Sequence, residues 1–160
     1  MNPVSGRVET DDERLDRNFN ELLQELRVAQ AGTQILFAFL LTVAFTPFVQ
    51  GAGEYEQRLL AATLVTAAMA TALLIAPVAL HRTVFQRGLK ESLVQLSSRL
   101  ALAGLCLLLL TMLGGCLLAL DALLSRSAAW VVTGVVAAWF VGFWFWLPLR
   151  VRGHGRRGAG

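Results

Sequence analysis

Four long stretches of this 160-residue sequence, 31–48, 59–80, 100–120 and 128–149, contain no Asp, Glu, Lys, Arg or His. Charge is scarce throughout: 16% of residues are charged and 56% are apolar, against about 25% and roughly 45–50% in a soluble domain. That balance excludes a soluble globular fold, a disordered chain and a collagen-like chain together. Cysteine is nearly absent, with only Cys106 and Cys116, ten residues apart in one apolar run. On a helix they stand about 15 Å apart, beyond the roughly 7 Å limit for a bridge, so no internal disulfide is expected and both thiols act as small hydrophobes.

Catalytic patterns are missing as well. The sequence has no H-E-x-x-H, C-x-x-C, G-x-S-x-G or P-loop string, and His81 and His154 lack the second ligand at metal spacing. The reading is that this is not an enzyme and needs neither metal nor cofactor. Ionisable residues inside spans are also missing, which argues against a proton-coupled carrier, because such a carrier needs a group that titrates within the bilayer. The net charge of +3 is spread over loops, a helix and a tail, and forms no nucleic-acid face.

What the sequence does have is span length. A transmembrane helix needs about 20 apolar residues to cross roughly 30 Å of hydrocarbon, and each of the four windows meets that need. Basic residues then set orientation. Arg7, Arg14, Arg17 and Arg27 precede the first span, Arg82, Arg87, Lys90 and Arg99 lie between the second and third, and Arg150, Arg152, Arg156 and Arg157 follow the fourth. The other two loops carry only Arg58 and Arg126. The positive-inside rule therefore puts both termini in the cytoplasm. Trp130 marks the outer edge of the fourth span and Trp144 and Trp146 the inner edge, while mid-span Trp139 is expected to pack on a neighbour. No signal peptide is evident, since the first 30 residues are polar and acidic.

The predicted architecture is all-α: an integral membrane four-helix bundle with cytoplasmic helical extensions before spans 1 and 3. Residues 1–10 read as a disordered N-terminus, 11–149 as one membrane domain, and 150–160 as a basic disordered tail. Thr10 and Glu13 form the T-x-x-E pattern of a capping box. Leu15, Phe19, Leu22, Leu26 and Ala29 then recur at helical spacing, which predicts an amphipathic helix over 11–30 that continues into the first span, with Pro47 near its far end. Phe85, Leu89, Leu93, Leu96 and Leu100 predict a second stripe on a helix starting after Gly88.

The first extension has a net charge of −3 over 11–30 and the second +3 over 81–99. An acidic amphipathic helix is poorly suited to anionic lipid, so its stripe is read as an interaction face: Leu15, Phe19, Leu22 and Leu26, with Arg17, Glu21, Glu25 and Arg27 setting register. It would pack against the basic loop, a second copy or another protein. Gln34 is the candidate polar link between spans. Gly134, Ala138 and Gly142 form a small-residue step on the fourth span, as do Thr63, Ala67 and Thr71 on the second and Thr111 and Gly115 on the third. These are read as internal packing in preference to an oligomer interface.

The strings NELLQELRVAQAGTQILFAFLLTVAFTPF (Asn20 to Phe48) and APVALHR (Ala76 to Arg82) resemble a family of small actinobacterial membrane proteins of unassigned function. The resemblance covers about residues 12–120. It implies a bacterial plasma membrane and four spans, and it carries no catalytic residue. The function expected is that of a non-enzymatic, multi-pass structural or interaction protein whose surroundings are a lipid bilayer. The alternative is a small pore or carrier component lined by Gln34, Thr42, Thr66 and Thr111. A lipid-modifying enzyme using His81 and Arg82 would lack an acid–base constellation.

Overall fold

The computed structural model describes residues 10–84 and 90–146. They form α1 (Asp11–Ala44), α2 (Pro47–Gln50), α3 (Glu54–Val84), α4 (Lys90–Leu123) and α5 (Arg126–Val141), which runs on as a π-helical turn, Gly142–Trp146. No strand occurs among the described residues. Four helices there are long and apolar enough to cross a membrane, over Glu13–Ala44, Glu54–Leu80, Leu93–Leu123 and Arg126–Trp144. Residues 1–9, the stripe positions Phe85 and Leu89, His154 and the tail 150–160 lie outside the described residues.

The helix starts follow local chemistry. The Thr10 backbone N–H donates to Glu13 Oε2 at 2.9 Å, and the Glu13 N–H donates to Thr10 Oγ1 at 3.3 Å. Two otherwise orphaned donors are thereby satisfied at the α1 N-terminus. α1 runs unbroken to Ala44, and Pro47 opens α2 at a position where its missing N–H costs nothing. α4 is described from Lys90 onward.

The helices contribute to two compact units. The first contains 10–38, 67–84 and 90–108. Its core is Leu26, Leu74 and Ala101, flanked by Leu22, Ala29 and Leu105. α3 and α4 meet closely here: a Cβ on Gly104 would lie 2.9 Å from the Leu74 side chain, so glycine is what permits the approach. The buried line on α4 is Leu93, Ser97, Ala101, Gly104 and Leu108, at steps of 4, 4, 3 and 4. Leu96, which the sequence puts on the buried stripe, is exposed. Steps of four from Leu93 carry the line through Ser97 and Ala101, and Leu96 stands one residue, about 100°, off it.

The second unit contains 39–66 and 109–146. Leu40, Leu60, Thr63, Leu109, Thr111, Leu117, Leu118, Ala129 and Thr133 are buried. Gly114 sits against α3 so tightly that an added Cβ would fall 2.4 Å from Thr63 Oγ1. Some threonine hydroxyls bond back to the preceding turn, as Thr63 does to Leu59 O and Thr66 to Ala62 O, each at 2.7 Å.

Candidate functional site

Charged side chains of the second unit gather where α3 begins, α4 ends and α5 begins. Arg126, the first residue of α5, reaches both carboxylate oxygens of Asp121, with Nε and Nη2 each at 3.3 Å. Its Nη2 also donates to the Glu56 carboxylate. The guanidinium carbon stands 3.9 Å from the centroid of the Tyr55 ring, a cation–π contact. Helix dipoles explain the arrangement. A cation at the start of α5 and an anion near the end of α4 each sit against a partial charge of their own sign. Pairing across the loop offsets both, and Glu56 adds an anion at the α3 start, where anions are favoured.

This cluster is absent from the sequence reading. A third span that ends at Leu120 leaves Asp121 aside, and Arg126 enters that reading only through its bearing on orientation. The usable signal is an acid and a base five residues apart between two apolar runs. The chemistry is that of a fastener: Asp121 is nearly buried, Glu56 is largely buried, and both bind the same guanidinium.

Beside the cluster, Glu54, Tyr55, Arg58, Leu59 and Trp130 line an open hollow of about 470 Å³. Glu54 and Arg58 pair with one another at the rim and are both well exposed. The Tyr55 hydroxyl is buried with no hydrogen-bond partner among the described residues.

The predicted interaction stripe on α1 is covered by the chain itself. Phe19 and Leu26 are buried, Leu15 and Leu22 are half-buried, and Leu26 sits in the core with Leu74 and Ala101. Of the flanking charges, Arg17 and Glu21 form an exposed pair at 3.8 Å, and Glu25 and Arg27 are exposed. Gln34 is exposed too, and the polar link lies one turn earlier, where Gln30 Nε2 donates to Leu74 O at 2.7 Å. Seven-residue steps from the buried Phe19 lead to Leu26 and Thr33, both buried, which leaves Gln34 about 100° round the helix from the inner face.

The small-residue step of Gly134, Ala138 and Gly142 makes no close contact among the described residues. A Cβ added at Gly134 or Gly142 would meet nothing within 4 Å, and Ala138 is exposed. These residues do not pack against the described helices, because α5 buries a different side, through Ala129 and Thr133. The steps on the second and third spans do pack inward, with Thr63, Ala67 and Thr111 buried. Trp139 is exposed, and its ring contact is Phe143 on the same helical run at 4.9 Å. A shallow hollow of about 210 Å³ lies over this face, lined by Ala138, Trp139, Gly142, Phe143 and Trp146.

Of the residues suggested for a pore, Gln34 and Thr42 are exposed while Thr111 is fully buried. Neither hollow is lined by any of them or by Thr66. Cys106 and Cys116 are both free.

A model of a family of unknown function, DUF6328, matches residues 8–148. The chain belongs to that family. No curated protein and no solved structure is significantly similar to it. Family membership thus extends across α1 to α5 and adds no assigned chemistry.

Proposed function

We propose that this DUF6328 member is a non-enzymatic, multi-pass protein of the bacterial plasma membrane, with both termini cytoplasmic, that acts by associating with other membrane helices, a second copy first among them. The observation that carries the reading is the contrast between its glycines. Gly104 and Gly114 are filled by neighbouring side chains of the same chain, whereas Gly134 on α5 and Gly142 in the π-helical turn after it, like Gly32 on α1, meet nothing within 4 Å among the described residues. In lipid, helix association depends on close backbone approach rather than on a hydrophobic drive. An open small-residue step on a candidate span is the surface best suited to it. The charged groups of Arg126, Asp121 and Glu56 are spent on one another, which supports a structural use of them.

Disulfide trapping tests the reading. With Cys106→Ala and Cys116→Ala as background, Gly134→Cys in native membranes should yield a covalent dimer on mild oxidation, and Thr133→Cys, on the buried side, should not. Absence of a dimer from Gly134→Cys, Ala138→Cys and Gly142→Cys alike would remove self-association through α5.

A further inference from the structure

The hollow beside the charged cluster has a chemistry that fastening does not use. Glu54 opens the second candidate span and Trp130 lies in the second turn of the fourth, so in a bilayer crossed by these spans the hollow would stand at the level of lipid headgroups. Its rim offers one carboxylate and one guanidinium, and its wall offers an indole and Leu59.

We propose that this hollow binds the headgroup of an amine-bearing zwitterionic phospholipid, with the phosphate on Arg58 and the ammonium on Glu54. The volume, about 470 Å³, is within the range of small-molecule sites, roughly 300–1,000 Å³. The Glu54–Arg58 pair is 77% exposed on both sides. Such a pair gains little from its own contact, so both ends are free to exchange it for a ligand of matching charge. A guanidinium binds phosphate in a charge-assisted geometry, and the ammonium gains both the carboxylate and the Trp130 face.

A further observation favours this occupant. Around the hollow, Glu54, Glu56 and Asp121 outnumber Arg58 and Arg126, which disfavours a purely anionic headgroup. Leu59 and Trp130 extend the site toward the acyl region.

The inference rests on a bilayer as the surroundings of the helices and is independent of self-association. Trp139→Phe, Trp144→Phe and Trp146→Phe leave Trp130 as the only indole, and the protein is placed in phosphatidylglycerol vesicles. Small equal fractions of bromine-labelled phosphatidylethanolamine or phosphatidylglycerol then compete to quench it. Flotation with the vesicles checks the bilayer reading separately. Quenching should show about a fivefold preference for the ethanolamine lipid, the scale of one exposed charge contact. The preference should vanish in Glu54→Gln with Arg58→Gln and survive in Arg58→Lys, which also controls for folding. Equal quenching by the two lipids in floated protein, or a preference unchanged in the double variant, would overturn the proposal. Loss of the preference on adding soluble phosphoethanolamine at the lipid's concentration would overturn a lipid as the source.

Discussion

The side-chain amide of Gln30 on α1 donates to the backbone carbonyl of Leu74 on α3, 2.7 Å away and three residues before the buried Pro77. Pro77 has no N–H to give the turn behind it, and its ring crowds that turn. Helices in lipid tolerate such a proline where a neighbour supplies hydrogen bonds to the disturbed backbone. Gln30 binds the carbonyl next to that of Leu73, the one Pro77 leaves without an N–H. Replacing Gln30 with Leu should destabilise the protein by about 0.6 kcal/mol, the typical worth of an interhelical hydrogen bond in a membrane. Gln34→Leu should cost nothing. Reversible unfolding in mixed micelles reads both, and equal losses would contradict the assignment.

Gly114 and Gly134 make a matched pair. Gly114→Ala forces a methyl to 2.4 Å from Thr63 Oγ1, and such overpacking costs about 1–3 kcal/mol. In the single chain Gly134→Ala meets open space and should be neutral or stabilising by up to about 1 kcal/mol, through helix propensity. The same unfolding assay separates them.

Much of this fold is legible in the sequence because lipid imposes simple rules. The capping box at Thr10 and Glu13 and the unbroken α1 follow from local chemistry and periodicity. What escaped depends on which side of each helix meets another. Both Gln30 and Gln34 are amides near one span edge, and only the packing of α1 on α3 selects Gln30. The α5 step looks like internal packing as a string, yet the helix buries Ala129 and Thr133 instead. The Arg126 cluster escaped because its members are 5 and 70 residues apart, and a charge count assigns each to a loop without pairing them.

Arg126, Asp121 and Glu56 act as one fastener, so their substitutions should not add. Arg126→Gln strands two carboxylates and should lower the melting temperature more than Asp121→Asn. The double variant should lose less than the sum of the singles, as expected for groups in contact. Strict additivity would mean that the three do not depend on one another.

Leu26 joins α1 to Leu74 and Ala101. Leu26→Ala opens a cavity there and should cost about 2–5 kcal/mol, while truncating Val28, which is largely exposed, should cost far less. A comparable loss at both positions would show that the stripe is not packed within the chain.

The proposed topology threads a membrane four times with both ends on the cytoplasmic side. Single cysteines at Ser5, Gly51, Ser125 and Gly158, in a background lacking Cys106 and Cys116, are labelled in intact cells with a membrane-impermeant maleimide. The account predicts labelling at Gly51→Cys and Ser125→Cys from outside, and at Ser5→Cys and Gly158→Cys only after the cells are opened. Labelling of either terminal position in intact cells, or of none of the four until lysis, would contradict it.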